Sequence, residues 1–238
     1  MVRSIWIVAA FILFASATHL CVSVEGEEPL PAQITSMADG EAIMLPPPDL
    51  TGSNTLEKAL AERRSVRTYA DEPLDMNDLS QLLWGTQGVT DPRGFRTAPS
   101  AGAQYPLEVT VAVGRVEGLS PGSYRYIPAT HQIRKIHDGD QRERLSAAAF
   151  SQQMPADAPV TFVISGIYER TRTRYGERAE QYTWMEAGHA SQNCYLIATA
   201  RGLGTVAIGA FDDKAVVEII GLPDDEIPLY LMPVGKRL

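Results

Sequence analysis

Regular hydrophobic rhythm begins near residue 54. Asn54 suits a helix cap with Glu57 at the third helical position, and Leu56, Ala59 and Leu60 then share an inner face. Leu79, Leu82, Leu83 and Trp84 follow Asp75 and Asp78, which predicts a second helix with its own acidic start. From residue 88 to 106, glycines and prolines interrupt every period, so a shaped loop is expected. Leu107, Val109, Val111 and Val113 alternate with Glu108, Thr110 and Ala112 on the other face, the period of a strand. Further strands are expected at 124–127, 132–136, 160–165, 206–208 and 229–234, and a helix at 140–149. The longest helix is expected at 184–200, where Ala187, Ala190, Cys194 and Ile197 recur at helical spacing and small side chains admit a close neighbour. A last helix starts at Asp212, with Phe211 as a hydrophobic staple, and stops at Gly221. Helices, hairpin-like strands and irregular turns follow no βαβ rhythm, so the fold class is α+β.

The first fifty residues follow other rules. Arg3 precedes an apolar run from Ile5 to Ala15, and Ala15-Ser16-Ala17 fits a cleavage site. Residues 1–24 are therefore expected to be a signal peptide or an uncleaved N-terminal membrane anchor. An extracytoplasmic location follows, whether secreted, periplasmic or membrane-anchored; a misassigned start codon would instead leave the protein cytoplasmic. Residues 25–50, rich in proline, read as an extended linker or arm, and 51–238 as one domain. A net charge of −8 argues against a nucleic-acid surface, which needs a concentrated positive field. Cys21 and Cys194 are the only cysteines, and Cys194 falls in an apolar helical pattern that suits a buried thiol better than a disulfide. His19, His131, His137 and His189 have no metal-ligand spacing, so no metal site is expected.

Arg63, Arg64 and Arg67 surround Ser65 within five residues. Guanidinium forks match phosphate oxygens, and Arg63 and Arg67 would share a side if the first helix continued through them. A solvated charged face explains the same spacing, and both readings stand. Glu186 and His189, three apart on the longest helix, could bond across one turn, and His189 could donate a proton; a purely structural role is the alternative. Arg174, Tyr175 and Arg178 form a polar stretch suited either to substrate recognition or to a helix surface.

Several segments occur together in order: Leu45-Pro46-Pro47-Pro48, Arg63-Arg64-Ser65-Val66-Arg67, Leu82-Leu83-Trp84-Gly85, residues 98–106, residues 174–178, residues 186–193, residues 208–213 and Pro233-Val234-Gly235-Lys236. With these pieces the chain resembles the nitroreductase-like flavoprotein superfamily, and within it the SagB-type dehydrogenase branch related to thiazoline and oxazoline oxidases. The resemblance implies a central, mostly antiparallel sheet flanked by helices, in a homodimer with FMN at the interface. It implies that Arg63, Arg64, Ser65 and Arg67 hold the phosphate and ribityl end of FMN, completed by Lys236 or Arg237. It further implies that Pro99, Ser100, Ala101 and Gly102 lie across the flavin from the partner subunit. Ile208, Gly209 and Ala210 would then face the reactive edge, with the Gly209 and Ala210 backbone near flavin N5.

The implied activity is an FMN-dependent oxidoreductase passing hydride through flavin N5 in a ping-pong cycle. It takes one of two forms: a SagB-type dehydrogenase acting on a peptide heterocycle, or a reductase drawing on NAD(P)H to reduce a nitro compound or quinone. The competing expectation is an exported flavin-binding or structural protein without turnover.

Overall fold

The computed structural model describes residues 40–238; the signal or anchor segment, Cys21 and the cleavage site lie outside them. The sheet has seven strands: β1 (Ala42–Met44), β2 (Leu107–Val113), β3 (Gly122–Ile127), β4 (Gln132–Asp138), β5 (Val160–Gly166), β6 (Leu203–Thr205) and β7 (Ile227–Lys236). Their order is β1-β4-β3-β2-β5-β7-β6, and every pairing in this ladder is antiparallel. Among the described residues the α-helices are α1 (Leu56–Glu62), α2 (Met76–Gln87), α3 (Arg142–Ala148), α4 (Met154–Asp157), α5 (Tyr168–Tyr175), α6 (Ala179–Ala200) and α7 (Asp213–Ile220).

Two cores sandwich the sheet. Val109, Val111 and Val113 of β2 pack with Leu79, Leu82 and Leu83 of α2 and with Ala187, Ala190 and Cys194 of α6. Ala112 and Val163 look the other way, toward Leu145 of α3 and Val216, Ile219 and Ile220 of α7. Both faces of the alternating strand β2 are therefore covered, and even Thr110 is fully buried. The α+β expectation of an antiparallel sheet flanked by helices holds.

Local chemistry explains several boundaries. Asp75 caps α2 by accepting the Asp78 N–H at 2.7 Å, and Asp212 caps α7 through the Ala215 N–H at 3.0 Å. Gly221 ends α7 at φ 77°, where a side chain would be strained. Thr55, rather than Asn54, caps α1, accepting the Lys58 N–H at 3.2 Å. Asn54 instead reaches the Ala200 carbonyl at the end of α6. Only Ala59 of the predicted inner face of α1 is buried; Leu56 and Leu60 are exposed. The longest helix starts at Ala179, five residues before Trp184. The ladder strand is 203–205 rather than 206–208, and Ile208 adds a single bridge to Leu231. Within the expected arm, Ala42–Met44 add a strand to β4, and Leu45 is buried. His131 fastens that entry: Nε2 contacts Ser80 Oγ at 2.8 Å and the Pro46 carbonyl at 3.0 Å, and Nδ1 meets Tyr126 Oη at 2.8 Å.

The membrane-anchored expectation requires correction. Among the described residues no helix is long and apolar enough to cross a membrane. The apolar run at the N-terminus, on which that expectation was placed, lies outside those residues.

Candidate functional site

The arginine segment does not continue α1. Arg63 is the C-cap, its N–H held by the Ala59 carbonyl at 2.9 Å, and the chain then turns extended. Ser65 bridges Thr205 in parallel, and the Val66 N–H donates to the Thr205 carbonyl at 2.9 Å. This close approach requires Gly204, where a Cβ would stand 2.6 Å from the Val66 side chain. The expected helical face shared by Arg63 and Arg67 is thus replaced by an extended run along the end of β6.

That run gathers around Tyr195 of α6. The Arg63 guanidinium lies 5.2 Å from the Tyr195 ring centre, and Ser65 Oγ is 3.2 Å from the Tyr195 hydroxyl. The same hydroxyl accepts the Ala207 N–H at 2.8 Å, tying the arginine segment to the residues after β6. Arg237 reaches this corner too, donating to the Leu203 carbonyl at 2.8 Å and to Thr199 Oγ1 at 3.3 Å. Lys236 points elsewhere, into an ion pair with Glu72 at 2.7 Å. Arg64 folds back on the carbonyls of Ala61 and Arg63, and Arg67 is exposed. Among the described residues, Arg63, Arg67 and Arg237 form no ion pair with a carboxylate. A set of guanidinium forks and one hydroxyl, without a competing acid, suits a phosphate.

The glycine- and proline-rich loop forms a second cluster. Pro99 and Gly102 are exposed and Ser100 and Ala101 half-buried, in a single turn of 3-10 helix at Ala101–Ala103. Glu186 of α6 accepts the Ala101 N–H at 2.9 Å. Burial raises the Glu186 pKa, opposed by the Ala101 and Ser100 hydrogen bonds and by the charges of His189 and Arg96. Glu186 therefore serves the loop, and no hydrogen bond to His189 forms; His189 is exposed. Gly102, at φ 56°, lies under α5: a Cβ there would meet Tyr175 Oη at 2.7 Å and Arg174 Cδ at 2.9 Å. Tyr175 also stacks edge-on against Tyr182 at 5.1 Å.

Ile208 is buried and exchanges hydrogen bonds with Leu231 at 2.8 and 3.0 Å. Gly209 and Ala210 are exposed, and among the described residues their N–H groups donate to nothing. The Ala210 carbonyl is held by Gln152 at 3.1 Å. Cys194 is buried as a free thiol, with its pKa pushed up to about 12 by burial. Sequence patterning misses Tyr195, because an aromatic residue in an apolar helix reads as core.

The chain is matched by the nitroreductase family model over residues 60–236. A Methanocaldococcus jannaschii protein assigned as a nitroreductase is 49% identical over 183 residues, which are 77% of this chain and 91% of that one. The crystal structure of a Ralstonia eutropha protein, also assigned as a nitroreductase, matches with a TM-score of 0.73 at 29% identity, covering 90% of this chain and 97% of that one. The microcin B17-processing protein of Escherichia coli is 26% identical over 180 residues, 68% of this chain and 62% of that one. The matched residues span the arginine segment, the 99–102 loop and the stretch after β6, and the chain belongs to the nitroreductase family, as an oxidoreductase-type enzyme with that family's α+β fold.

Proposed function

We propose that the protein is an FMN-dependent oxidoreductase that works as a homodimer and transfers hydride by a ping-pong cycle. The observation that carries this reading is the corner at the end of β6, where Arg63, Ser65 and Arg237 converge with no acidic partner among the described residues. Arg63 and Arg237 would take the phosphate, with Ser65 beside them and Arg67 at the outer rim. Arg237 suits this task better than Lys236, whose ammonium is already neutralised by Glu72. When bound, FMN supplies hydride acceptance and donation at ring position N5. The exposed N–H groups of Gly209 and Ala210 are oriented by the Ile208–Leu231 bonds and suit hydrogen bonding to the ring's reactive edge. Residues 99–102 offer small side chains and a proline, so backbone can press on a flat surface without an intervening side chain. Support for a homodimer comes from α1 and α6, which pack on each other yet leave Leu56, Leu60, Trp184 and Met185 exposed by 60%, 51%, 59% and 52%.

Two substrate classes divide the reading. Reduction of a nitro compound or quinone at the expense of NAD(P)H agrees with the nitroreductase relatives. Dehydrogenation of a peptide azoline, the SagB-type reaction, draws on the likeness to a microcin-processing protein. The experiment is anaerobic mixing of the FMN-loaded protein with NADPH, followed by a quinone, with absorbance near the flavin band as the readout. Bleaching by NADPH and recovery with the quinone support the reductase. Bleaching only by an azoline peptide supports the dehydrogenase. Flavin that is bound and answers to neither identifies a binding protein without turnover.

A further inference from the structure

Four charged side chains of alternating sign run through the sheet beneath the 99–105 loop, and hydride transfer assigns none of them a task. Glu226, just before β7, is 1% exposed and receives two hydrogen bonds of 2.7 Å from the guanidinium of Arg125 on β3. Ser165 of β5 donates to the same carboxylate. Arg125 also faces Glu108 of β2 at 3.6 Å, and Glu108 pairs with Arg170 of α5 at 2.6 Å. The other terminal nitrogen of Arg170 donates to the Tyr105 carbonyl at 3.1 Å. Well-packed apolar residues generally serve stability as well as a buried ion set does, so stability alone does not account for the four charges. Their shared end point is Tyr105.

Tyr105 holds φ 47°, a left-handed backbone that is costly for a bulky side chain. It is pinned on every side. Its N–H donates to Ser100 Oγ at 2.8 Å, its hydroxyl accepts the Arg96 N–H at 3.2 Å, and the Arg96 guanidinium lies 4.7 Å from its ring centre. Because Ser100 is itself bonded to Tyr105, the backbone angle at 105 sets where 100–102 stand. Arg170 is the charged bond of this clamp, and the buried chain behind it keeps its guanidinium from turning to solvent.

We propose that Arg170 is a positioning residue: borne on the Glu226–Arg125–Glu108 chain, it locks Tyr105 in its left-handed backbone and so presents the 99–102 loop to the cofactor. The last step rests on the flavin reading; the lock itself does not. The test uses the full-length protein with Arg170→Met and Arg170→Lys. Hydrogen exchange of the flavin-free protein is followed across 97–106 and across β2 and β5, and FMN affinity is read from quenching of flavin fluorescence. Arg170→Met is expected to speed exchange at 103–105 about tenfold, or about 1.4 kcal/mol of local opening, with β2 and β5 unchanged. FMN should weaken by a similar factor of about ten. Arg170→Lys keeps the charge opposite Glu108 but has one nitrogen where the arginine uses two, and should recover part of both effects. Unchanged exchange at 103–105 in the Met variant would overturn the proposal. Lost protection throughout β2 and β5 would overturn it equally, since Arg170 would then support the sheet rather than the loop. If the unsubstituted protein takes up no FMN, the cofactor reading fails, while the exchange result still decides the lock.

Discussion

The two halves of the site are built on opposite plans. At the end of β6 the groups proposed to meet the ligand are exposed or half-buried arginines and one hydroxyl, held by backbone contacts, Tyr195 and Thr199. At residues 99–102 the groups proposed to meet the ligand are small and uncharged, while the charges behind them are buried or half-buried and bonded to each other. A phosphate is a charged ligand that rewards donors left free to meet it. A flat ring rewards shape, and shape in a loop of glycine, proline and alanine must be imposed from behind. The first plan predicts losses in ligand affinity with little change in folding, and the second predicts losses of local loop order that carry affinity with them.

The largest expected effect breaks the first plan directly. Arg63→Ala or Arg237→Ala should each weaken FMN by about 2 kcal/mol, roughly thirtyfold, from the loss of a charge-assisted bond. Thermal melting of the flavin-free protein should barely move for Arg63→Ala and fall slightly for Arg237→Ala, which also gives up its bonds to Leu203 and Thr199, and a large drop in either would erase the contrast. Gly204→Ala attacks the scaffold of the same corner. Its Cβ collides with Val66, and overpacking of this kind costs about 1–3 kcal/mol, to be read from denaturant midpoints.

On the loop side, Glu186→Ala removes the acceptor of the Ala101 N–H and should cost about 1–2 kcal/mol, whereas Glu186→Gln keeps an acceptor and should cost less. Glu186 also carries a pH signature. Its folded pKa is raised, chiefly by burial, so its favourable contribution is present below the unfolded carboxylate range and is lost as pH rises through the folded value. Melting temperature against pH should therefore fall less steeply above about pH 4.5 in Glu186→Gln. The smallest effect lies outside both regions. Burial lowers the His131 pKa, so its contribution holds above about pH 6.5 and is lost as pH falls toward the folded value. His131→Gln should flatten that acid limb whether or not FMN is present.

Features governed by neighbouring residues were legible in the sequence. Asp75 and Asp212 as caps, Gly221 as a stop and the alternation of β2 all depend on contacts within a few residues. α5 was not legible as a helix, because Tyr168–Tyr175 is polar all round; it has no apolar stripe and is held by docking on α6, with Thr171 as its buried contact. Val206–Ile208 reads as a strand by composition, yet the ladder forms three residues earlier, where Gly204 and Gly235 face each other. Leu56 and Leu60 read as core, since spacing identifies an apolar face without saying what covers it. The arginine segment was visible as a cluster, but not its extended course, which depends on Thr205 and Tyr195 more than a hundred residues away. The Arg170 chain was invisible for the same reason: Glu108, Arg125, Arg170 and Glu226 meet only once the sheet has formed.

Whether the β6 corner holds a phosphate is decided by titrating the flavin-free protein with FMN and with riboflavin. The two ligands share the ring and ribityl chain and differ in the phosphate alone. FMN should bind at least thirtyfold more tightly than riboflavin, the equivalent of about 2 kcal/mol, and Arg63→Ala and Arg237→Ala should narrow that gap. Equal affinities for the two flavins, or a gap untouched by either substitution, would contradict the account.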